Sequence, residues 1–175
     1  MNRFFSDITL ELQVGNIVKQ PDIDAIVNAA NAQLRIGGGV AGAIHSIGDP
    51  ELEQLTRPLA PITPGKAVIT AAPNLPNRYV IHCLGPVYGR DEPSDKLLVN
   101  CYRNALNLAE ENKLKSIAFP AISTGAFGYP LKDAAALSLN TVKEIAPKLE
   151  SLETVRFVLF DNQAYQIHKE ILEKI

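Results

Sequence analysis

Six short apolar runs punctuate the chain, at residues 8–14, 25–29, 67–70, 79–84, 116–120 and 155–160, and they limit what it can fold into. Each is short and rich in β-branched or aromatic residues, so each reads as a strand. Several are apolar without interruption. A strand with one wet face alternates, whereas an uninterrupted one is covered on both faces. Between the later runs lie stretches of helical period: Leu97, Cys101, Ala105 and Leu108 share one face, as do Ala135, Leu139, Val142 and Ala146. Pro147 is expected to end the second of these helices. Asp161 is placed to cap a last helix with Ile167, Ile171 and Ile175 turned inward. This alternation predicts an α/β fold, a three-layer α/β/α sandwich around a mixed, mostly parallel sheet.

The length of 175 residues suits one domain spanning 1–175, with no repeat and no Gly/Ser-rich linker to divide it. The formal net charge of −2 argues against broad electrostatic binding of nucleic acid, which needs a basic face. No apolar run approaches the roughly 20 residues of a membrane span, so no membrane partner is expected. The N-terminus turns acidic at Asp7 before any leader-like apolar region forms. Cys83 and Cys101 sit singly in apolar segments and read as buried free thiols, which points to a cytoplasmic address. No His/Cys/Asp cluster has metal-ligand spacing, so neither a metal nor a cofactor is expected.

Two glycine loops carry the chemistry. Gly37-Gly38-Gly39 precedes a segment, 40–47, able to form a helix. Without a Cβ the backbone can turn sharply and approach a ligand, and successive N–H groups can converge on an anion at a helix start. Gly37, Gly39 and Gly42 also satisfy the dinucleotide pattern G-x-G-x-x-G. Its context is wrong, because residues 31–36 separate the glycines from the preceding strand and no acidic strand end follows about 20 residues later. The second loop, after the strand at 116–120, holds Ser123, Thr124, Gly125, Ala126 and Phe127. Its hydroxyls and amides can donate to a diphosphate; Phe127 can lie against a sugar or anchor the loop in the core. A Walker-type Gly-Lys-Ser/Thr is absent, which argues against phosphoryl transfer from ATP.

Together, Asp24-Ala-Ile-Val-Asn-Ala-Ala-Asn31, Gly37-Gly-Gly-Val-Ala-Gly-Ala-Ile-His45 and Phe119-Pro-Ala-Ile-Ser-Thr-Gly-Ala-Phe-Gly-Tyr-Pro130 closely resemble the macro domain family, whose members bind ADP-ribose. Thr63-Pro-Gly-Lys-Ala-Val-Ile-Thr70 and Tyr79-Val-Ile-His-Cys-Leu-Gly-Pro86 are similar to the family as well. The resemblance implies that Asn31 hydrogen-bonds the distal ribose, and that the amides of Gly38, Gly39 and Val40 face the diphosphate and that ribose. Ser123 through Phe127 would close over the diphosphate from the other side. Phe160, ending the last strand, would pack near adenine, with Asn16, Ile17 and Ala41 also lining the ligand. Asn28 fits a structural tie between loops better than a ligand contact.

Two departures bear on activity. Many members carry aspartate where this chain has Asn16, whose amide oxygen is still an acceptor but has no charge, so weaker adenine binding is expected. In one hydrolytic branch an aspartate stands at the position of Ala41 and positions or activates water; alanine can do neither. The resemblance therefore implies either hydrolysis of ADP-ribosyl esters or a non-catalytic reader of ADP-ribose, with ADP-ribose 1″-phosphate hydrolysis a third use of the same pocket. The hydrolase would act on mono-ADP-ribose attached to acidic side chains or on O-acetyl-ADP-ribose, through water oriented by Asn31. Its partner would be ADP-ribose or an ADP-ribosylated protein or metabolite. His45, one turn into the helix, is a candidate general acid or base, although a histidine so placed is more often a capping or packing residue.

Overall fold

A computed structural model describes all of residues 1–175. Seven strands form one sheet in the order β1-β2-β7-β6-β3-β5-β4. They are β1 (Asn2–Phe5), β2 (Ile8–Val14), β3 (Ala25–Ala29), β4 (Ala67–Ala71), β5 (Tyr79–Cys83), β6 (Ser116–Phe119) and β7 (Thr154–Leu159). The inner strands β2, β7, β6, β3 and β5 run parallel, and the edge strands β1 and β4 are antiparallel to their neighbours. The helices are α1 (Gly39–Gly48), α2 (Glu51–Thr56), α3 (Ser94–Glu111), α4 (Leu131–Ile145) and α5 (Asn162–Lys174).

The uninterrupted apolar runs are explained by what each face meets. Val27, Ile81, Ile117, Phe119, Phe157 and Leu159 turn to a large core shared with α3, α4 and α5. Their neighbours Ile26, Val80, Ala118 and Val158 turn to a smaller core with Ile44 of α1 and Leu52 of α2. Helices therefore cover both faces, giving the expected three-layer α/β/α sandwich with a mixed, mostly parallel sheet.

The helix faces are partly as the periodicity predicts. Ala135, Leu139, Val142 and Ala146 are all buried, and α4 passes into a short 3₁₀ turn (Ala146–Lys148) that contains Pro147. On α3 the buried stripe is centred on Leu98, Cys101, Tyr102 and Ala105, with Leu97 and Leu108 at its margins. On α5 the expected inner face was displaced by one residue: Ala164, His168 and Leu172 are buried, while Ile167, Ile171 and Ile175 are half-buried flanks. Asp161 does cap α5, accepting from the Ala164 amide at 2.8 Å. Both cysteines are buried free thiols, and no helix is long and apolar enough to cross a membrane.

The candidate ligand cleft

Parallel strands leave all their C-terminal ends on one edge of a sheet, and ligands collect there. Here β2 runs into Gly15, Asn16 and Ile17; β3 into Ala30 and Asn31; β5 toward Gly85; β6 into the second glycine loop; and β7 into Phe160 and Asp161. Residues from all five segments line one cleft of about 830 Å³. The first glycine loop and the start of α1 complete it.

Helix α1 begins at Gly39, with Gly38 as its N-cap and no side-chain cap. The first-turn amides of a helix have no intrahelical acceptor, and they carry the positive end of its dipole. Gly38, Gly39, Val40 and Ala41 all lie in the cleft lining. Gly39 has φ +56, a left-handed conformation that glycine adopts without strain. The loop folds back over the helix so closely that a Cβ on Gly42 would stand 2.5 Å from the Gly37 carbonyl oxygen.

Asn31 points into the cleft from the end of β3, and its amide is held at both ends. Its Nδ2 donates to the Arg35 carbonyl at 2.8 Å, and its Oδ1 accepts from the Arg35 amide at 3.1 Å. One amide proton and one oxygen lone pair remain for a ligand.

The second loop is shaped from below by Tyr102 of α3. This buried phenol donates to the Pro120 carbonyl at 3.3 Å and accepts from the Ile122 amide at 3.2 Å. Burial pushes its pKa well up, so it stays a donor. Ser123 is held at φ +67, is 7% exposed, and its hydroxyl has no protein partner. Buried hydroxyls are normally satisfied, so this one is an unspent donor beside the cleft. Thr124 lines the cleft too, but its hydroxyl and its amide both donate to the Ala121 carbonyl, at 2.7 and 3.4 Å, closing the turn. Gly85 lies directly against this loop: a Cβ there would collide with the Ser123 hydroxyl and with Ile122. Phe127 is half-buried, packed on a small cluster of Ala30, Leu34, Ile62 and Leu84. It both lines the cleft and anchors the loop.

At the far end Asn16 and Ile17 meet Phe160. The Asn16 Oδ1 accepts from the Val18 amide at 3.1 Å, and an amide oxygen has a second lone pair free. Phe160 does not end β7, which stops at Leu159; it stands one residue beyond, 93% exposed at the cleft's rim. Its open ring offers a flat apolar face at the rim on which a planar group can stack.

His45 is not brought to the cleft. It lies on the buried side of α1, with Nδ1 2.8 Å from Asp49 Oδ1 and Nε2 unpartnered. Asn28 is also sealed in, its Nδ2 donating to His82 Nδ1 at 3.2 Å, so it ties β3 to β5. The remaining candidates, Asn16, Ile17, Asn31, Gly38 to Ala41, Ser123 to Phe127 and Phe160, share the one cleft. Gly15, Gly85, Leu131 and Gln163 line it as well and were not foreseen. Gly15, Gly85 and Leu131 lie in or beside segments that stand out in the sequence, but only the order of the strands shows that they reach the cleft. Asp161, committed to capping α5, is the single ionisable residue of the lining.

The family model for the Macro domain matches residues 27–138. A macro domain-containing protein of Caldanaerobacter subterraneus subsp. tengcongensis is 44% identical over 171 residues, covering 95% of this chain and 97% of the relative. A protein of Citrobacter rodentium named O-acetyl-ADP-ribose deacetylase is 45% identical over 155 residues, covering 86% and 88%. A solved structure of an Oceanobacillus iheyensis macrodomain variant with ADPR matches with a TM-score of 0.94 at 40% identity, covering 99% of this chain and 97% of that one. Matched by the family model, by a relative 44% identical over nearly its whole length and by the same fold, the chain belongs to the macro domain family.

Proposed function

We propose that the cleft binds ADP-ribose and that the protein hydrolyses ADP-ribosyl esters, either O-acetyl-ADP-ribose or mono-ADP-ribose on an acidic side chain. The observation that carries this reading is the convergence of Asn31 and both glycine loops on one cleft with no lysine or arginine in its lining. Such a lining suits a diphosphate held by amides between the α1 start and the second loop, with adenine at Asn16 and Phe160 and the distal ribose at Asn31 and Phe127. The C. rodentium protein named as a deacetylase and the O. iheyensis macrodomain with ADPR support it.

In ester hydrolysis, water adds to the acyl carbon, the carbon–oxygen bond to the ribose breaks, and the ribose oxygen takes up a proton as the acid leaves. Asn31 and the loop amides can orient the ester and that water and donate to the developing oxyanion. With no imidazole, thiol or amine in the lining, the remaining proton transfers fall to water and to the substrate's own phosphate. The enzyme is accordingly a slow one. A reader without catalysis is the second reading, favoured by the methyl of Ala41 and by the engagement of Asp161 in its cap.

Incubation with O-acetyl-ADP-ribose and with a glutamate-linked mono-ADP-ribosylated protein separates the two. Release of acetate or ADP-ribose is expected, with kcat reduced about a hundredfold in Asn31→Ala. Tight binding with no release leaves the reader; no binding of ADP-ribose at all overturns the ligand itself.

A further inference from the structure

The turn that holds the Asn31 amide is tied to Thr56, 25 positions further along the chain and outside the cleft lining. The Asn31 amide is closed on the backbone of Arg35, so the direction in which it points is set by where that peptide sits. Arg35 in turn follows Leu34, which is held at φ +56. A leucine in the left-handed region is strained by about 1 kcal/mol or more, and it stays there only when its surroundings over-determine it.

Three contacts do so. The Leu34 amide donates to the Asn31 carbonyl at 3.1 Å, closing the turn. Its side chain is fully buried among Ala30, Ile62 and Leu84, with Phe127 packed against them. Its carbonyl accepts a hydrogen bond from Thr56 Oγ1 at 2.7 Å, in a fully buried setting at the end of α2. The Thr56 hydroxyl also lies 3.2 Å from the Glu53 carbonyl, but it has one proton, and the shorter contact takes it. The Ile62 amide pins the same loop through the Ala32 carbonyl at 3.0 Å. This arrangement exceeds what holding a surface loop requires: a buried donor is spent on keeping one strained peptide in place beside the cleft.

We propose that Thr56 is a positioning residue for the distal-ribose end of the site, acting through the Leu34 carbonyl and the Arg35 peptide to fix the plane of the Asn31 amide. The proposal rests on the reading that Asn31 meets the distal ribose. Thr56→Val keeps the shape and removes the donor, leaving a buried carbonyl unsatisfied and the left-handed turn free to relax. A general loss of structure would weaken every ligand alike. A misaimed Asn31 weakens only ligands that reach it.

The test is calorimetric titration of wild type, Thr56→Val and Thr56→Ser with ADP-ribose and with ADP, which lacks the distal ribose. Wild type is expected to prefer ADP-ribose. Thr56→Val is expected to bind ADP-ribose about tenfold more weakly while keeping its ADP affinity within about twofold, and Thr56→Ser to restore the preference. On O-acetyl-ADP-ribose, the valine variant is expected to lose kcat rather than gain KM alone. An unchanged preference in Thr56→Val, or an equal loss for both ligands, overturns the positioning role. A wild type that binds ADP and ADP-ribose equally overturns instead the placement of the ribose at Asn31, and the inference with it.

Discussion

Glycine inside a helix is normally an invitation to stabilise. Replacing it by alanine contributes about 1 kcal/mol through propensity alone. Gly42, one turn into α1, is the exception this structure predicts. Its added Cβ would stand 2.5 Å from the Gly37 carbonyl oxygen, whereas real Cβ atoms essentially never come within 3.0 Å of another heavy atom. The obstacle is backbone and cannot rotate away, so helix and loop must part by at least about 0.5 Å. Overpacking of this kind costs about 1–3 kcal/mol, which cancels or outweighs the propensity gain. Thermal unfolding of Gly42→Ala is therefore expected between unchanged and about 8 °C below wild type, at roughly 2–4 °C per kcal/mol for a chain of this size. The displaced loop carries the amides that would face the diphosphate, and Gly37 also sits against Asn31, 3.1 Å from its Nδ2 by the same Cβ measure. Misplacement on this scale is expected to weaken ADP-ribose binding by more than about tenfold. Gly38→Ala serves as the stability control, since its Cβ meets nothing within 4 Å at φ −80. A Gly42→Ala protein that melts higher and keeps its affinity refutes the steric argument.

Two further outcomes follow from individual residues. Asn16→Asp gives the adenine end a charged acceptor, and calorimetry is expected to show up to about tenfold tighter ADP-ribose binding, with a smaller gain for the hypoxanthine analogue; equal gains would remove Asn16 from adenine recognition. His82 titrates far from its usual range, because burial and then the neighbouring His45 push it down to about 3. Its folded value lies below its unfolded one, so its contribution to stability is full above pH 6.5 and is lost as pH falls toward 3. Urea midpoints of wild type should decline from pH 6.5 to about 5, and His82→Gln should decline less steeply. Equal slopes would show that His82 is not buried neutral; His168, also lowered by burial, keeps the variant's slope above zero.

The sheet's inner strands were legible because burial on both faces writes itself as an unbroken apolar run. β1 was not: Asn2–Phe5 is a short edge strand whose exposure alternates weakly, with Phe4 left 72% exposed. α2, six residues between two prolines, lacks the length for a period to register. On α5 three isoleucines drew the expected face one residue off, because a buried histidine holds the centre of the stripe. The site divides in the same way. Asn31 and both glycine loops are local patterns and could be read directly. Tyr102 and Thr56 act on those loops across the fold, and nothing in their own neighbourhoods marks them; Gly85 lies in a recognisable segment, but its contact with the second loop does not show there.

The absence of lysine and arginine from the lining has a consequence for the conditions under which the protein can work. A phosphate site built from lysine or arginine trades counterions for ligand and loosens as salt is added. A diphosphate seated on the α1 amides and the second loop would release few counterions. Its grip would change little between dilute buffer and the ionic strength of a cell. Selectivity in such a site comes from how well the curve of the two loops fits the ligand, and hardly at all from how much negative charge the ligand brings.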